Sequence, residues 1–206
     1  MSTPEVQIPT EAPVMVLPSA LLFPNALMPL FIFEARYRAM LDWALAHDRA
    51  FCVALMKPGV TEAKSPDDFY HTAGLGMVRA CVKCKDGTSN VMLQGLARVS
   101  FDGFVQIAPF RIAKLVSVPS VLGTEAQTAP LAAELRALCK RFRSKGLSDN
   151  IEAFLFKMTD PEMLADAVAH SFVHDPFRRQ EIMEEARLPQ RLELIIRHIE
   201  EETPGS

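Results

Sequence analysis

Between Leu17 and Arg38 the chain reads Leu-Pro-Ser-Ala-Leu-Leu-Phe-Pro-Asn-Ala-Leu-Met-Pro-Leu-Phe-Ile-Phe-Glu-Ala-Arg-Tyr-Arg. Pro18, Pro24 and Pro29 punctuate its short apolar segments. Each proline fixes φ and removes a backbone donor, so this stretch suits bends, strand starts and sheet edges rather than a long helix or a central strand. Asn25 stands at the bend after Pro24, and asparagine tolerates a left-handed φ better than most residues. By alternation, Phe31 and Phe33 share one face, expected to point inward, with Leu30 and Ile32 on the other. At Glu34 the pattern changes. Tyr37, Met40, Leu41, Ala44 and Leu45 recur at helical spacing, which predicts a helix over 34–47.

From there to residue 118 the chain reads mainly as strands. The apolar run 50–56 ends in the turn Lys57-Pro58-Gly59, and 61–68 is a polar loop. Strands over 75–83 and 89–95 flank Asp86-Gly87, which supplies the positive φ of a tight hairpin. Two more are predicted over 99–104 and 106–118, bent near Gly103 and Pro109. Residues 1–12 are polar and expected to be loose.

Residues 119–124 read as a linker, and helices come after it. The first, over 125–145, places Leu131, Leu135, Leu138 and Phe142 on one stripe and stops at Lys145-Gly146. A second runs from Ser148 or Asp149 to Met158. Pro161 and Pro176, each preceded by Asp, open two more, ending near Val173 and Ala186. Pro189 opens the last, with Leu192, Ile195, Ile196 and Ile199 inward. The expected domains are therefore 13–120 and 121–203.

Composition narrows the function classes. The chain has 206 residues, 49% of them hydrophobic and 23% charged, enough for a substantial core. Net charge is −3, with 11 basic and 10 acidic residues before position 125 and 11 and 15 from there on. This is not the basic footprint of a protein that binds nucleic acid or anionic membrane in bulk. The prolines interrupt the most apolar stretch, so no membrane span is predicted. Glu5 and Glu11 stand where a signal peptide would carry positive charge. The expected compartment is the cytoplasm, with Cys52, Cys81, Cys84 and Cys139 as reduced thiols.

Chemical motifs are sparse. Cys81-Val82-Lys83-Cys84 has a metal-knuckle spacing but lacks a second pair, and positions i and i+3 of a strand point to opposite faces. His170 and His174 are four apart on a predicted helix, without the Glu of the zinc-protease pattern. Glu34 opens the first helix, where a carboxylate caps. There is no Gly-x-x-x-x-Gly-Lys-Ser/Thr phosphate loop and no Gly-x-Ser-x-Gly elbow. No enzyme activity, metal or cofactor is expected.

The chain resembles the Lon protease N-terminal, substrate-binding domain family. The resemblance rests on Leu17-Pro18, on the Leu22-Phe23-Pro24-Asn25 bend where the family carries Gly, and on Pro29-Leu30-Phe31-Ile32-Phe33-Glu34 followed by Arg36-Tyr37. It continues through Gly74-Leu75-Gly76, Asp86-Gly87, Gly95-Leu96-Ala97-Arg98, Asp160-Pro161-Glu162, Gln180-Glu181-Ile182 and Arg191-Leu192-Glu193. It implies an α+β fold, a PUA-like β-barrel with one helix followed by a C-terminal helical bundle. It also implies a stand-alone module without the family's ATPase and peptidase. Its role would be non-catalytic recognition of unfolded or degron-bearing polypeptides, as an adaptor in protein quality control with a protease or chaperone as partner. Phe23, Leu27, Met28, Arg36, Arg79 and Arg98 are the candidate groove residues. Two other readings stay open. PUA-like barrels also bind RNA, for which Arg79, Lys83, Lys85, Arg98, Arg111 and Lys114 could form a basic face. A small ligand could also sit in a pocket between barrel and helices.

Overall fold

A computed structural model describes residues 8–142 and 158–202. The chain divides into two compact units, one ending at Val118 and the other starting at Pro119. The first holds strands β1 (Glu11–Leu17), β2 (Leu27–Ile32), β3 (Ala50–Leu55), β4 (Thr72–Lys83), β5 (Ser89–Gln106) and β6 (Arg111–Ser117), with helix α1 (Ala35–Ala46) after β2. The order is β2-β5-β4-β3-β1-β6, and β6 also pairs with β5, so five strands close a ring that leaves β2 outside it. All neighbours are antiparallel except β1 and β3.

β5 is the hub. The sequence predicts two separate strands across its length, but it runs unbroken for 18 residues. Register shifts at Gly95 and around Gly103 bend it instead of ending it. Its first half pairs with β2 and β4, and its second half reaches β6. Val78–Lys83, Ser89–Gln94 and β2 thus form a three-stranded arm beyond the ring, since β4 meets β3 only up to Met77. The predicted start is also corrected: Glu11 and Ala12 already belong to β1.

Alternation along the strands builds two apolar cores. Met15, Phe51, Val78, Val91 and Leu93 join Tyr37, Met40, Leu41 and Ala44 of α1 in one. Val14, Val16, Cys52, Leu75, Val99 and Phe101 form the other. Buried side chains of this size contribute roughly 1.5–3 kcal/mol each. α1 is pinned by Tyr37, whose hydroxyl donates to the Val16 carbonyl at 2.9 Å. Burial pushes that phenol up from its ordinary pKa. Glu34 holds the N-cap position without capping through its side chain. Its carboxylate is drawn to Arg36 at 2.8 Å instead.

The proline-rich run crosses β4 and β5 as a close-packed loop, which explains the glycines beneath it. A Cβ on Gly74 would lie 1.8 Å from the Leu22 carbonyl oxygen, and one on Gly95 would lie 2.0 Å from that of Phe23. Asn25, at φ 64°, donates its amide to the Gly95 carbonyl at 2.9 Å.

The second unit contains α2 (Glu125–Phe142), α3 (Pro161–Phe172), α4 (Pro176–Glu184) and α5 (Leu188–Glu202) among the described residues. Asp160 and Asp175 cap α3 and α4, accepting from the amides of Glu162, Phe177 and Arg178. The helix predicted from Ser148 or Asp149, and the predicted end of α2 past Phe142, lie outside the described residues. His174 falls beyond the end of α3, so the predicted pair with His170 on one helix is not formed. The segment read as a linker is tied in: Val121 exchanges backbone hydrogen bonds with Ala186 and Leu188 at 2.9 Å. Arg191 is fully buried and faces Glu162 and Asp166 at 3.6 Å each while donating to the Ser120 hydroxyl at 2.7 Å.

Candidate functional site

The arm has two unlike faces because its side chains alternate. Met28, Ile32, Val91 and Leu93 face α1 and are buried. The opposite set is read directly from the register. One row runs Phe31, Asn90, Val82 and the next Pro29, Met92, Ala80. A third pairs Leu27 with Gln94 and Met77. Leu27 and Phe31 are each 55% exposed, Phe33 60% and Val82 64%. The Phe31 and Phe33 rings stack at 5.9 Å. A shallow groove of about 410 Å³ lies between Phe31, Val82, Met92 and their neighbours Pro29, Leu30, Ala80, Asn90 and Val91.

Exposed apolar side chains gathered on one sheet face are the kind of surface at which proteins meet other chains. β2 is also an edge strand, paired on one side with β5. Pro29 in its middle supplies no amide to an added strand. The face therefore offers side-chain contacts more than a continuous backbone ladder along β2. Arg79, next to the α1-facing Val78, lies on the same bare face, where its Nε donates to Gln94 Oε1 at 2.5 Å; a bulge between Val78 and Ala80 keeps Ala80 on that face too.

The predicted groove residues separate by burial. Leu27 and Arg79 are on the face. Phe23 and Met28 lie in the core, at 0% and 8% exposure, and cannot line a surface groove. Arg98 is 3% exposed, with its guanidinium 6.0 Å from the Phe23 ring. Arg36 pairs with Glu34 and lies over the Tyr37 ring at 4.7 Å. Phe31 and Phe33 share a face as predicted but point outward, because Ile32 and Leu30 take the side packed on α1. Sequence reasoning misses Pro29, Val82 and Met92. Alternation shows that a strand has two faces, not which one a helix covers.

Little here supports covalent chemistry. Burial pushes the thiol of Cys139 up to about 12 and that of Cys52 higher still, so neither is a ready nucleophile. Cys81 packs against the α1 core, and the Cys84 sulfur accepts from the Asn90 amide at 3.8 Å. Among the described residues no group of three or more His, Cys, Asp or Glu is placed to hold a metal. A second depression, about 610 Å³, lies on the helical unit and is lined by Glu181, Glu184, Glu185, Glu193 and Arg197 among others. Its charges are largely matched internally: Glu181 meets His198 at 2.7 Å and Arg197 at 3.3 Å, and Glu185 meets Arg187 at 2.9 Å.

Comparison with known proteins adds independent information. Residues 11–201 match the family model described as the ATP-dependent protease La (LON) substrate-binding domain. The chain is 28% identical over 192 residues to a Lon protease of Trichlorobacter lovleyi, covering 85% of this chain and 23% of that protein. A Lon protease of Geobacter metallireducens is 27% identical over 203 residues, covering 96% and 24%. The chain thus spans about a quarter of the length of these curated relatives. Its fold resembles the N-terminal domain of a Mycobacterium avium complex Lon protease, with TM-score 0.73, 17% identity and coverage of 94% of this chain and 100% of that one. A Lon N-terminal domain protein from Xanthomonas campestris gives TM-score 0.63 at 18% identity, covering 91% and 98%.

Proposed function

The chain belongs to the Lon substrate-binding domain family, and from that premise we propose that it recognises unfolded or degron-bearing polypeptides, without catalysis, through the bare face of the β2–β5–β4 arm. The observation that carries the proposal is the exposure of Leu27, Phe31, Phe33 and Val82 together on one side of a well-packed sheet. Extended chains present alternate apolar side chains, and a shallow groove on a pleated face suits them. An adaptor role toward a protease or chaperone follows from the same reading. So does reading 13–120 as a PUA-like barrel domain, supported by the ring closed through β5 and β6, and 121–203 as a helical bundle.

The basic residues give less support to an RNA face. Lys83 is turned to Asp42 at 3.2 Å, Arg98 is buried, and Arg111 donates to the Ala63 carbonyl at 2.6 Å beneath the Phe69 ring.

The test is fluorescence anisotropy with a permanently unfolded polypeptide and with a structured-loop RNA, each across a salt series. Polypeptide binding is expected to tolerate salt and to weaken about tenfold in Phe31→Thr/Val82→Thr, as the loss of two apolar contacts implies. Undiminished binding by that variant would place the site elsewhere. Salt-sensitive RNA binding alone would overturn the reading.

A further inference from the structure

We infer that this face selects apolar segments carrying an acidic side chain, and that Arg79 is the residue that reads it; the inference rests on the polypeptide reading above. Among the described residues, the register rows of the bare face hold no ionisable side chain, and Arg79, bonded to Gln94 of the third row, brings one to it. The neighbouring charges are occupied or turned away. Glu34 and Arg36, beyond Phe33, pair with each other at 2.8 Å, and Lys83 reaches Asp42 of α1 on the other side of the arm.

Arg79 itself is exposed and bonded to Gln94 through Nε. That bond fixes the planar guanidinium at the end of the apolar rows and leaves its terminal amino groups for a carboxylate, which they can grip in bidentate fashion. Arg79 follows Val78, which faces α1, so alternation turns it to the bare face, and the bulge before Ala80 lets both residues share that face. The complement to such a face is a chain segment with alternate apolar residues and a Glu or Asp beside them. An internal side chain, rather than a free C-terminus, is the expected source. The rows are open at the β4 edge beside Arg79, where β4 has no strand partner on that side beyond Met77 among the described residues, so a chain can continue past it.

Three labelled peptides of one apolar sequence test this by anisotropy: an amidated peptide with a central Glu, its Gln counterpart, and the Gln peptide with a free C-terminal carboxylate. The Glu peptide is expected to bind roughly threefold to fivefold more tightly than the amidated Gln peptide, the range of a partly exposed ion pair. That ratio should fall toward one in Arg79→Gln and at about 0.5 M salt, where screening is strong. It should persist in Arg79→Lys. An unchanged urea-unfolding midpoint of Arg79→Gln would show that the variant is folded. Equal binding of the Glu and Gln peptides by the unaltered protein would overturn the inference while leaving the polypeptide reading intact. An Arg79-dependent gain confined to the free carboxylate would replace the side chain by a chain terminus. Failure of all three peptides to bind would overturn the polypeptide reading, and this inference with it.

Discussion

The two faces of the β2–β5–β4 arm are built from the same strands and differ in what covers them. On the α1 side, Leu93 and Val91 are 0% and 3% exposed. One residue further along, Met92 and Asn90 look out across the groove. On the proposed reading, stability and recognition are separated by a single step in register. A substitution on one face should change the folding free energy, and its neighbour on the other should change binding alone. The difference teaches that exposed Phe31 and Val82 are not defects of the core. The core is complete without them.

The largest expected effect sharpens the covered side. Leu93→Ala removes a fully buried side chain from the cluster that also holds Leu22, and should lower the unfolding free energy by roughly 2–5 kcal/mol in urea titration. A loss under about 1 kcal/mol would mean that α1 does not seal this face. Next comes Gly95→Ala, which forces a methyl toward the Phe23 carbonyl oxygen 2.0 Å away. The loop or the strand must shift, at a cost of roughly 1–3 kcal/mol. The same experiment reads it, and an unchanged midpoint would show that the Leu21–Asn25 loop yields freely.

Much of this architecture is legible from residue types. The proline spacing marks a bend and an edge, and Pro29 does sit in the edge strand. Asp-Pro pairs mark the starts of α3 and α4 because capping and the fixed φ of proline act locally. Asn25 is expected to accept a left-handed backbone and does, at φ 64°. What fails depends on which elements pack together. Nothing near Phe31 says that α1 will cover Ile32 instead. Phe23 and Arg98 look like surface candidates, but the loop folds down onto glycines about 50 and 70 positions later in the chain, at Gly74 and Gly95, and takes Phe23 with it. The buried Arg191 is equally hidden, since its partners Ser120, Glu162 and Asp166 come from separate segments.

The smallest expected effect is the most exacting check on the comparison. Phe31→Thr keeps a residue suited to a strand and removes an aromatic ring that is 55% exposed. What the fold loses is the Phe33 stack at 5.9 Å and the part of the ring resting on its neighbours. Because the ring is wet in the free protein, the unfolding free energy should move by no more than about 0.5 kcal/mol. Polypeptide affinity should nevertheless drop severalfold, since binding would dry the ring on both sides. A stability loss near that of Leu93→Ala would mean that Phe31 is packed in solution and the face is part of a core. A small stability change with a large binding change is the result that only two functionally separate faces produce.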